Sequence, residues 1–116
     1  MKGEGDLESS RTYYGGTFLN DEDLAESTLK HKIELEYYTI KTYNNEVNEE
    51  AKRYGIGIVK KEYEEENVKI ESNNHNNISN NIYIVNELID TLKRGKVTPI
   101  GLDDIMDDLY KERITE

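Results

Sequence analysis

Four aspartates, Asp103, Asp104, Asp107 and Asp108, form the densest group of side chains in this sequence that could do chemistry. On a helix Asp103 and Asp107 share a face, as do Asp104 and Asp108, each pair one turn apart. Paired carboxylates can hold a magnesium ion through its waters, which would make the chain a small divalent-metal-dependent enzyme. The simpler reading is a solvated helix face. Acids near the positive end of a helix are electrostatically favoured, and these alternate with Leu102, Ile105, Met106 and Leu109. We therefore expect one negative surface open to solvent or to a basic protein partner, and assign no catalytic, cofactor-binding or metal-ligating residue.

Other reactive groups are poorly placed. His31 stands between Lys30 and Lys32, and His75 lies in an asparagine-rich run. No H-x-x-H, H-x-H or H-E-x-x-H spacing gathers them onto a metal, so both read as solvated surface histidines. The serines (Ser9, Ser10, Ser27, Ser72, Ser79) fall in presumed loops, and none sits in a G-x-S-x-G elbow. Gly55-Ile56-Gly57 lacks the third glycine and the strand-to-helix turn of a phosphate cradle. It reads instead as a strand interior closely approached by another backbone or by the ring of Tyr37 or Tyr38. With no cysteine there is neither disulfide nor thiolate chemistry.

The aromatic residues are informative. The chain has nine tyrosines, one phenylalanine and no tryptophan, and tyrosine favours interfaces because its ring buries while its hydroxyl stays wet. Tyr37 and Tyr38 must point to opposite faces of a strand, so at least one ring lies outside a single-layer core. Tyr13, Tyr14 and Phe18 sit beside acids in a segment that could fold onto a partner or simply patch the domain's own surface. Tyr13, Tyr14, Phe18, Tyr37 and Tyr38 join the four aspartates as candidate partner-binding residues.

The elements that hold these residues follow from periodicity. Residues 1–29 are acidic and poor in aliphatics, which predicts a mostly disordered tail; residues 30–116 form a single small domain. Ile33, Leu35 and Tyr37 alternate with Glu34, Glu36 and Tyr38 in a strand running to about Thr42 or Tyr43. A polar connection with one helical turn near Glu50 and Ala51 leads to a second strand, inward at Tyr54, Ile56 and Ile58 and ending near Tyr63. Glu64 to Asn67 is a turn, Val68 and Ile70 a short third strand, and Ser72 to Asn81 a polar loop. A helix capped by Ser79 or Asn80 buries Ile82, Val85, Leu88, Ile89 and Leu92. Gly95 ends it in a left-handed turn after Lys93-Arg94. Thr98-Pro99 starts a second helix, burying Leu102, Ile105, Met106, Leu109 and Tyr110, with Val97 and Leu102 as a staple.

The fold expected is α+β: a three-stranded antiparallel sheet packed by two C-terminal helices. A net charge of −10 disfavours nucleic acid and anionic membranes and suits a basic protein surface. No apolar run approaches the ~18 residues of a membrane span, and the N-terminus lacks the features of a signal peptide, so a cytoplasmic protein is expected.

The run Leu92-Lys93-Arg94-Gly95-Lys96-Val97-Thr98-Pro99-Ile100-Gly101-Leu102-Asp103-Asp104-Ile105 resembles the closing signature of a group of short uncharacterised proteins of clostridia-type bacteria. In that group a Lys-Val-Thr-Pro turn precedes an acidic terminal helix, and the strand Tyr54 to Lys61 is also similar. The resemblance covers roughly residues 32–112 and implies a fold, with no activity to carry over. The function expected is a non-catalytic protein-binding or regulatory module with an acidic, tyrosine-rich surface. One alternative is an acidic, phosphate-mimicking decoy that blocks a nucleic-acid-binding protein; the other is the metal-dependent enzyme above.

Overall fold

The computed structural model describes residues 7–19, 32–44 and 52–114. Four strands, β1 (Leu7–Leu19), β2 (Lys32–Asn44), β3 (Arg53–Tyr63) and β4 (Val68–Ser79), precede two helices, α1 (Ile82–Arg94) and α2 (Pro99–Ile114). The strands form one antiparallel sheet in the order β1-β2-β3-β4, and both helices cover one of its faces. Leu35, Tyr37, Ile56 and Ile58 from the sheet meet Val85, Leu88, Ile89, Leu92, Leu102 and Met106 from the helices in a single core. Ile105 and Leu109 pack against its margin. Among the described residues no helix is long and apolar enough to cross a membrane.

The sheet has four strands rather than the expected three. β1 occupies sequence read as tail, and two things conceal it. Its strand formers are aromatic and hydroxyl residues instead of aliphatics. A bulge between Tyr13 and Gly15 also breaks the alternation, so no period of two runs its full length. The third expected strand likewise continues through the asparagines to Ser79, where a polar loop was anticipated. The tail reading for residues 1–6 and 20–29, the helical turn near Glu50 and Ala51, His31 and the side chain of Tyr110 lie outside the described residues.

The helix ends differ in detail from expectation. Asn81, rather than Ser79 or Asn80, caps α1: its side chain accepts the Tyr83 N–H at 2.9 Å, while Ser79 Oγ accepts the Asn81 N–H. At the other end Gly95 has φ −86°, and the left-handed residue is Lys96 at φ 53°. The bonds from Lys96 N to Lys93 O and from Val97 N to Leu92 O close a Schellman turn. That turn folds Val97 back against the core. Tyr37 locks it from below, its hydroxyl donating to the Val97 carbonyl at 2.8 Å.

Candidate functional site

Alternation along β2 sends Ile33, Leu35 and Tyr37 to the helices and Lys32, Glu34, Glu36, Tyr38 and Ile40 to the other face. The register carries this outward. Tyr38 lies opposite Tyr13 and Gly57, Glu36 opposite Val59, and Glu34 opposite Phe18 and Lys61. On β4, Val68, Ile70 and Ser72 lie opposite Tyr63, Lys61 and Val59. Among the described residues both helices pack on the opposite side, so this face carries no helix.

The face is held as a lattice. Tyr38 donates to Glu36 Oε1 at 2.8 Å, and Lys61 Nζ donates to Glu36 Oε2 at 3.2 Å. Tyr63 donates to Glu34 Oε1 at 2.8 Å. Arg11 lies 4.2 Å over the Tyr38 ring, and Lys32 sits 4.8 Å from the Phe18 centroid and 5.8 Å from that of Tyr63. Tyr13 meets Tyr38 edge to face at 5.6 Å. Burial, followed by the bond to Glu36, raises the Tyr38 phenol above its ordinary range. The bond to Glu34 does the same for Tyr63. Glu36 holds the Lys61 ammonium in its charged form by raising its pKa. Tyr38, Tyr63 and Phe18 are each fixed by a carboxylate or a cation, and Tyr13 rests on Tyr38, before any partner arrives.

The candidate residues divide between two layers. Tyr13, Phe18 and Tyr38 share the helix-free face. Tyr37 is wholly buried under the helices. Tyr14, at the bulge, turns to the helix side and donates to Asp90 of α1 at 2.8 Å. Asp103, Asp104, Asp107 and Asp108 are exposed on α2, in the layer opposite Tyr13 and Tyr38. The acids and the tyrosines therefore do not form one surface.

Within the aspartate group, Asp103 is distinct. Its Oδ1 accepts from Asn73 Nδ2 at 2.9 Å and pairs with His75 Nε2 at 2.7 Å, while the same Asn73 amide reaches the Pro99 carbonyl at 3.0 Å. The bonds from His75 and then Asn73 hold the Asp103 carboxyl below the usual carboxylate range. His75, expected in solvent, is a strand residue that fastens α2 to the edge of the sheet. The signal was the odd-numbered alternation of Asn73 and His75, hidden because asparagine is a poor strand former. Among the described residues no three His, Cys, Asp or Glu side chains gather in a way that could hold a metal ion.

Close approach explains the two glycines of β3, by backbone at Gly55 and by side chains at Gly57. At Gly55 the register with β4 slips between Tyr54 and Ile56, and a Cβ would strike the His75 carbonyl and the Asn76 Cα. At Gly57 the nearest groups are the side chains of Asn74 and Ile40, where a Tyr37 or Tyr38 ring was expected.

Neither the curated proteins nor the solved structures yield a match. A family model does, over residues 18–112, beginning at Phe18 near the end of β1 and continuing into α2. That span is most of the chain and includes β2, β3, β4 and α1 in full, so the chain belongs to DUF6514, a family of unknown function.

Proposed function

We propose that this chain is a non-catalytic protein-binding or regulatory module of the cytoplasm that meets its partner through the helix-free face of the sheet. One observation carries the reading. Among the described residues six large apolar side chains stand exposed, and four of them lie on this face: Tyr13 (55%), Phe18 (47%), Val68 (45%) and Ile70 (60%). They stand at its two edges, on β1 and β4, with polar residues of β2 and β3 between them. Protein interfaces carry this mixture of apolar and polar groups, and rings already held in place lose little entropy on binding.

A photo-reactive phenylalanine analogue placed at Tyr13 should give a discrete, protease-sensitive adduct in the native cell, and the same group at Tyr83 of α1 should give none. An adduct from position 83 alone would contradict the reading.

The segregation of Asp104, Asp107 and Asp108 onto the helix layer favours a second reading, the acidic decoy with a basic partner. Binding of that kind falls steeply with added salt, whereas an apolar contact tolerates it.

A further inference from the structure

The helix-free face is electrically unlike the chain that carries it. Among the described residues it holds four cations, Arg11, Lys32, Arg53 and Lys61, against two carboxylates, Glu34 and Glu36, within a protein of net charge −10. Between Arg11 and Lys61 the face dips into a shallow depression of about 240 Å³, floored by Val59 and edged by Tyr38, Ile70 and Ser72. Both Glu36 oxygens are already engaged, by Tyr38 and by Lys61, so that carboxylate has little left to offer a cation. Arg11 rests on the Tyr38 ring, a contact that positions the guanidinium without neutralising it.

We infer that this depression anchors a carboxylate side chain from an acidic, extended peptide segment of the partner. The inference rests on the reading of this face as the contact surface. Arg11 supplies the uncompensated charge and a planar donor fork suited to a carboxylate. Lys61 adds the N–H donors left beside its bond to Glu36, and Val59 with Ile70 takes an apolar neighbour. A phosphodiester chain would meet the same cations. However, Arg11 and Lys32 already lie over the rings of Tyr38, Phe18 and Tyr63, where bases would stack. The net negative charge also penalises a long polyanion more than a segment bringing one or two carboxylates.

The test is an NMR titration of the isotope-labelled full chain with three probes: a short capped Glu-Leu-Glu peptide, its Gln-Leu-Gln counterpart, and oligouridylate. The glutamate peptide should shift the amides of Arg11, Tyr38, Lys61 and Ser72 and bind at least ten-fold more tightly than the glutamine peptide. Arg11→Ala should cost about ten-fold in that affinity with an unchanged melting temperature, and Lys93→Ala, on the helix side, should cost nothing. Equal binding of the two peptides, shifts confined to the helices, or preference for oligouridylate would overturn the anchor. If the cross-link at position 13 still forms while the two peptides bind equally, the contact face stands and only its acidic ligand is lost.

Discussion

Tyr37 carries its hydroxyl through the core to the Val97 carbonyl, joining the middle of β2 to the turn between the helices. Tyr37→Phe should lower stability by about 1–2 kcal/mol, because the buried carbonyl loses its donor, and the melting temperature by several degrees. Burial pushes the Tyr37 phenol well above its ordinary value of 10. A raised folded-state pKa contributes stability that is complete below pH 10 and lost as pH climbs above it. In an ultraviolet titration Tyr37 should ionise only as the chain unfolds in base, and Tyr37→Phe should remove that late step. The glycines give a paired prediction. Gly55→Ala should cost roughly 1–3 kcal/mol, since backbone must move to admit the methyl. Gly95→Ala meets only ordinary contacts at negative φ and should be neutral or stabilising by up to about 1 kcal/mol. Both are read from urea denaturation. Alternation alone placed Tyr37 and Tyr38 on opposite faces. It could not show that Lys96 takes the left-handed position, because a Schellman turn fixes which residue does so only when its bonds are formed.

At the scale of elements, the helices and the first two expected strands were readable because their aliphatic stripes match one period throughout. β1 and the far half of β4 were not, since both are edge strands that give the core little aliphatic side chain. β4 spends Asn73 and His75 on α2 instead. Asp103 receives both, and its lowered pKa gives stability present above the ordinary carboxylate value of 3.8 and lost as pH falls below it. Asp103→Asn keeps an acceptor but cannot titrate. Its docking of α2 should therefore be less sensitive than the wild type between pH 4 and pH 2, followed through hydrogen exchange of α2 amides. Equal acid sensitivity in both proteins would count against the clamp.

Across the whole molecule, a net charge of −10 says nothing of how charge is divided between the two described layers. Among the described residues the helix layer displays Asp104, Asp107 and Asp108, and the other sheet face has more cations than carboxylates. Composition alone suggested one acidic, tyrosine-rich surface; the sheet register separates its two ingredients, which no count of residues could do. The family match fixes membership and leaves the choice of layer to experiment. Partner capture by two full-length variants makes that choice, provided both melt within a few degrees of the parent. One is Tyr13→Ser with Phe18→Ser; the other is Asp104→Asn with Asp107→Asn and Asp108→Asn. Recognition through the sheet face requires that the first lose its partner and the second retain it. Loss of the partner by the aspartate variant alone would contradict this and place recognition on the helices.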